Sequence, residues 1–154
     1  MKTINVNGKQ YTFEFTFEAA MYEECVENII GIIDGVSAAQ NNNDVQGYVT
    51  TLAKAPKRVM NLAYAGLLEH HGDEINSVKA ATALIKEYFT EHKDDDGSNF
   101  MSLMSMLIEC MEEDGFFKLI GLEELFKTNQ TEESQKVTKI PQDHKKKTTK
   151  ASEK

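Results

Sequence analysis

The stretch Pro56–His71, PKRVMNLAYAGLLEHH, decides how the rest of the chain must be arranged. Pro56 suits the first turn of a helix, where a missing N–H costs nothing. Val59, Leu62, Ala63, Gly66, Leu67 and the stem of His70 recur at three- and four-residue steps, which puts them on one helical face. Ala63 and Gly66 are small, so another helix can approach closely there. Gly66 costs about 1 kcal/mol of helix propensity relative to alanine, so its presence implies a packing reason. Gly72 stops the helix. Nothing in the segment is catalytic. It is a packing helix, and no other stretch speaks more strongly for chemistry.

Toward the N-terminus, Lys2 to Phe15 reads as a β-hairpin. Ile4 and Val6 alternate with polar residues, as do Tyr11, Phe13 and Phe15. Asn7-Gly8 between them is a strong two-residue turn signal, because both positions tolerate positive φ. A lone hairpin is marginal in water, so its apolar face must cover a helix. Thr16 reads as an N-cap, with Ala19 rather than an acid at the capping-box position. The helix behind it is expected over 17–33, with Tyr22, Cys25, Val26, Ile29, Ile30 and Ile33 as its stripe and Gly31 and Gly35 loosening its end. Ser37 to Gly47 is polar and asparagine-rich and reads as a loop. A short separate helix is expected from Val45 to Lys54.

Toward the C-terminus, Asp73 or Asn76 opens a helix carrying Val78, Ala81, Leu84, Ile85, Tyr88 and Phe89, which ends by His92. Ser98 or Asn99 caps the next helix, which runs to Glu113 before Asp114-Gly115 breaks it. That helix is rich in methionine: Met101, Met104, Met106 and Met111 stand among Phe100, Leu103, Leu107 and Ile108. Nearly its whole circumference is apolar, so it must be covered, either in the core or under a partner. Methionine serves both ends, filling core gaps and making adaptable binding surfaces. Phe116 to Ile120 and Leu122 to Phe126 supply a last apolar piece. From Thr131 the composition is that of a disordered, lysine-rich tail. The expected organisation is a helical domain over 1–127 and a basic tail over 128–154.

The formal net charge is −8. Residues 129–154 hold seven lysines against four acids, whereas residues 1–128 hold ten basic against 21 acidic side chains, a net of −11. A body so acidic does not present the electrostatic footprint of a nucleic-acid binder. It is compatible with a basic or partly unfolded protein partner, and equally with ordinary solubility. Cys25 and Cys110 lie far apart within apolar helical patterns and read as free, buried thiols. The opening MKTINVNGKQ lacks the apolar run of a signal peptide, and no stretch approaches the ~20 apolar residues of a membrane span. A soluble intracellular protein with no membrane partner is expected.

Chemistry-bearing patterns fail on inspection. With Gly97 at the sixth position of a calcium loop, His92 would be first and Leu103 twelfth, and the closing bidentate glutamate is missing. His70 and His71 are sequence neighbours that do not share a helix face, with no Cys or His at zinc-like spacing. Cys25 has no local histidine or glycine-rich turn, and neither a nucleophile elbow nor a phosphate loop is present. The reading is a non-enzymatic protein without cofactor or metal.

Three segments carry a resemblance. Ile4-Asn5-Val6-Asn7-Gly8-Lys9 with Tyr11-Thr12-Phe13-Glu14-Phe15 leading into a helix resembles the opening of the tail assembly chaperones of long-tailed, non-contractile (siphovirus-type) bacteriophages. Tyr64 to His71 is similar to that family's second landmark, and Glu112 to Lys118 resembles the third. Together they cover residues 1 to about 127; the segment around Asn41 to Asn43 and the tail depart from the pattern. The resemblance implies a small, non-enzymatic, mostly helical protein that coats and solubilises the tape measure protein and helps recruit major tail tube subunits. Such a protein works in the host cell cytoplasm and is absent from the finished virion. Many of the family also exist in a frameshift-extended form, and self-association along the client fits an excess of apolar surface.

The fold expected is α+β and mostly α, an N-terminal β-hairpin packed on about five helices. The residues expected to meet a partner are Phe100, Met101, Met104, Met106, Leu107, Met111, Phe116, Phe117 and Phe126. A different class of function, a small acidic adaptor or regulatory domain bound to one folded partner, is also compatible with these features.

Overall fold

The computed structural model describes residues 1–42, 45–95 and 97–124, with Met1–Glu123 forming one compact unit. Its first element is the hairpin. Strands β1 (Lys2–Val6) and β2 (Lys9–Phe13) are antiparallel, with Val6 opposite Lys9 and Ile4 opposite Tyr11. Asn7 and Gly8 join them with φ of 51° and 75°, the two positive values that match a tight turn to strand twist. Ile4, Val6, Tyr11, Phe13 and Phe15 are all buried, so the alternation reads the core face correctly. The turn itself is clamped: the Asn7 amide donates to the Glu91 carboxylate at 2.9 Å and its Nδ2 to Glu87.

Among the described residues six helices follow: α1 (Phe17–Met21), α2 (Glu23–Asn42), α3 (Val45–His71), α4 (Val78–Glu91), α5 (Phe100–Glu113) and α6 (Phe116–Leu119). The architecture is therefore mostly helical α+β. The helix expected over 17–33 is divided. Tyr22 takes an extended conformation, caps α1 and hands its carbonyl to the Cys25 amide. Its ring explains the break: it stands edge-on to Tyr64, and its hydroxyl donates to the buried Asn61 side chain of α3. Thr16 precedes α1 but makes no side-chain cap; its hydroxyl donates to Glu69 instead.

The expected loop over 37–47 is largely helical, since α2 continues to Asn42 and α3 begins at Val45. Alanine and glutamine at 38–40 favour helix, and α2 packs on α3. The two run antiparallel, Tyr22 meeting residues 61 and 64 while Gly31 meets Arg58. Arg58 Nη1 donates to the Gly31 carbonyl at 2.7 Å, and its guanidinium fills the space that a side chain at 31 would need. That packing, rather than a loosened helix end, accounts for Gly31. The buried stripe of α2 includes Cys25, Ile29 and Ile32, while Ile30 is exposed.

Pro56 lies inside α3, not at its start. It has no N–H to offer the Leu52 carbonyl, and the defect is tolerable because Leu52 faces solvent, where water can serve that oxygen. Beyond it, Val59, Leu62, Ala63, Ala65 and Leu67 are fully buried, making α3 the central element. What approaches Gly66 is the hairpin rather than another helix. A Cβ there would lie 3.0 Å from Phe15 Cζ and 3.1 Å from Phe13 Cδ1. The bare backbone lets the Glu14 amide reach the Gly66 carbonyl at 2.8 Å. Two residues earlier on β2, the Thr12 amide donates to His71 Nε2 at 2.9 Å. Amides on the free edge of β2 thus find acceptors on α3, and the edge is closed to further pairing.

On the other side, Asp114 gathers the start of the chain. Its carboxylate accepts from the N-terminal amine at 2.7 Å, from the Phe15 amide at 2.9 Å and from Cys110 Sγ at 3.3 Å. Burial opposes that charge, but these hydrogen bonds outweigh it and hold the carboxyl below its usual range. Ser77 and Asn99 cap α4 and α5 through their side chains, and Gly115, at φ 71°, turns the chain into α6.

Gly66→Val should destabilise the protein by about 2 kcal/mol through overpacking against the two phenylalanines. Gly66→Ala should cost far less, because helix propensity returns about 1 kcal/mol. Urea midpoints of the three proteins check both. His71 must be neutral at Nε2 to accept the Thr12 amide, and burial lowers its pKa below 6.5. Below that value the unfolded chain binds a proton here before the folded one does, so stability falls on acidification. The urea midpoint should therefore drop between about pH 7 and about pH 5.5, and less so in His71→Gln, which keeps an acceptor without titrating. Glu74, Glu113 and Asp114, whose pKa values lie below 4.5, 4.5 and 3.8, act only at lower pH.

Candidate functional site

The residues expected to meet a partner divide when the helices are in place. Leu107, Met111 and Phe116 are fully buried and Phe117 nearly so. They are core, not surface. Leu107 and Met111 belong to the face of α5 that also buries Leu103 and Cys110, and Phe116 packs its ring against Phe15 at 5.5 Å. The covering that an all-round apolar helix demands is thus supplied from within on one face only. Ser102, Ser105, Glu109 and Glu112 make the opposite face wet. Phe100 and Met101 are exposed, and Met104 and Met106 are half-buried. Phe126 lies outside the described residues, as does the tail over 128–154.

Phe100 opens onto an apolar groove. An open groove of about 660 Å³ runs between α3 and α4. Pro56, Lys57 and Met60 form the α3 wall. Thr82, Ile85, Lys86, Phe89, Thr90 and Lys93 come from α4 and the turn beyond it. Their spacing of three and four residues puts them on one face of α4, with Ile85 and Met60 buried beneath. Phe100 closes one end, edge-on to Phe89 at 5.2 Å. The rims carry three lysines and the lining carries no carboxylate. Beside it, a more polar cleft of about 480 Å³ shares Lys86 and Thr90 and borders the hairpin turn at Asn7.

Of the groove, the sequence reading named only Phe100 as a partner contact. Ile85 and Phe89 read as apolar helix positions and Pro56 as a helix start, none of them as neighbours, and Met60 was not singled out. No local signal joins residues 56, 89 and 100; the pairing of α3 with α4 and the contact of Phe89 with Phe100 of α5 do.

The titratable groups offer little reactive chemistry. Burial pushes the Cys25 thiol up to about 12, and burial together with Asp114 pushes Cys110 up to about 11. Both cysteines are free and buried, held as neutral thiols. The single S–H of Cys110 lies within 3.3 Å of two acceptors, the Phe13 carbonyl and the Asp114 carboxylate. His70 of α3 meets Glu14 just beyond β2, and His92 bonds the Tyr88 carbonyl of its own helix. Among the described residues no group of three His, Cys, Asp or Glu side chains is placed to hold a metal ion, and no helix is long and apolar enough to cross a membrane. What the described surface offers is an open apolar groove.

Compared with protein families, curated proteins and solved structures, the chain matches none of them.

If the groove is surface rather than core, Phe100→Ala should lower stability by under about 1 kcal/mol, whereas Leu107→Ala one helix face away should cost about 2–5 kcal/mol. Chemical denaturation of the two variants measures the contrast.

Proposed function

We propose that this chain is a tail assembly chaperone of a long-tailed, non-contractile bacteriophage, a non-enzymatic protein that keeps the tape measure protein soluble and helps bring tail tube subunits to it. The observation that carries this reading is the open apolar groove between α3 and α4. A long helical client presents apolar stripes, and a groove floored by Met60, Ile85 and Phe89 is the kind of surface that takes one. Half-exposed Met101, Met104 and Met106 on α5 add adaptable area, which suits a client offering many non-identical segments. The resemblance of the hairpin, the Tyr64–His71 segment and the Glu112–Lys118 ending to the chaperone family supports the same reading. Action in the host cytoplasm and absence from the virion follow as parts of the proposal.

Co-expression with the long coiled-coil protein expected to be its client, followed by size-exclusion chromatography with light scattering, tests it. The expected result is a soluble complex with several copies of this chain per client, and an insoluble client in its absence. Met104→Glu with Met106→Glu, which removes the added area on α5 but not the groove, should weaken that complex while leaving the unfolding free energy within about 1 kcal/mol of wild type. A client that stays insoluble, or a tight one-to-one complex with a single folded protein, would move the adaptor reading ahead.

A further inference from the structure

The charge around the groove runs against the charge of the body. Residues 1–128 carry 21 acidic side chains to ten basic ones, yet Lys57, Lys86 and Lys93 all line this one surface and no carboxylate does. Lys57 stands on the α3 wall, Lys86 and Lys93 on the α4 wall, so cations border both sides of the apolar floor. All three are exposed, and among the described residues none of them makes an ion pair. Lys2 and Lys9, by contrast, pair with Glu113 and Glu74, and Arg58 bonds the Gly31 carbonyl, while Lys54, Lys79 and Lys118 stand apart from the groove. From Thr82 to Thr90 the α4 wall is about 12 Å long, room for about two turns of a docked helix.

Resting on the reading of this groove as the client site, we infer that it selects acidic amphipathic helices. The partner's apolar stripe sits on Met60, Ile85 and Phe89, and the aspartates or glutamates bordering that stripe meet Lys57, Lys86 and Lys93. The acidic remainder of the body repels the same helix everywhere else, so attraction in the groove and repulsion outside it act together to set the docking position.

The test uses the full chain and three fluorescein-labelled helical peptides with one apolar stripe, bordered by glutamate, glutamine or lysine. Fluorescence anisotropy should rank them in that order, the glutamate peptide binding about tenfold tighter than the glutamine peptide at low salt, with the margin shrinking as salt rises. In Lys57→Glu/Lys86→Glu/Lys93→Glu the order should reverse. These side chains are exposed, and circular dichroism of the variant verifies that it folds. Equal binding of the glutamate and glutamine peptides, or an unreversed order in the variant, overturns the inference. So does failure of all three peptides while dodecanoate displaces an apolar dye from the groove, which would make the occupant a single anionic amphiphile. A ranked peptide series combined with a client that stays insoluble supports the charge selection and removes the chaperone reading, so the two fail separately.

Discussion

The hydrogen bond from the Glu14 amide to the Gly66 carbonyl is the constraint on which the arrangement depends. A two-stranded hairpin cannot stand alone, and a strand can reach the backbone of a helix only where no side chain intervenes. Gly66 provides that opening in the middle of α3. Once the strand lies there, the rings of Phe13 and Phe15 flank the glycine, the Thr12 amide falls within reach of His71, and the Phe15 amide within reach of Asp114. The hairpin is held through its main chain by α3 and α5, and the Asn7 turn by α4. Side chains supply the apolar filling, while main-chain contacts determine position.

How much of this was legible depends on whether the deciding contact was local. The hairpin, its register and its buried face were, because a period of two and an Asn-Gly pair are local facts. A packing reason for Gly66 was legible too, but not that a strand supplied it, since the pattern of one helix does not name what covers it. Tyr22 breaks a helix that the stripe from Tyr22 to Ile33 reads as continuous, and only its partners Asn61 and Tyr64 explain the break. Pro56 is read as a helix start because proline at a first turn and proline over an exposed carbonyl look alike in one dimension. On α5 the residue types gave the apolar excess but not its direction, so Leu107 and Met111 were grouped with Phe100 and Met101 although the core takes the first pair.

The two halves of α3 do different work. From Val59 onward it is sunk in the core and receives the hairpin. At its midpoint, Pro56 and Lys57 border the groove and the buried Met60 forms part of its floor. Before that, Val49 and Leu52 are exposed, and the helix packs on α2. One rigid element therefore ties the hairpin to the groove, and the groove's walls are no more movable than the helix that the strand grips. Under the proposed function, a trough preformed in this way would bind by complementarity rather than by rearrangement, which limits the entropy lost on docking.

The contact between Asp114 and the first residues also orders events in time. Phe15 and Asp114 are 99 residues apart, and the N-terminal amine and Asp114 are 113 apart. A chain growing from its N-terminus makes the hairpin first, but the acceptors that finish it come last. Until α3 has emerged the edge of β2 has no cover, and until α5 is complete the Phe15 amide has no partner. Such distant closure slows folding and leaves an open strand edge during synthesis. Folding of the whole domain is therefore postponed until nearly all of it has left the ribosome.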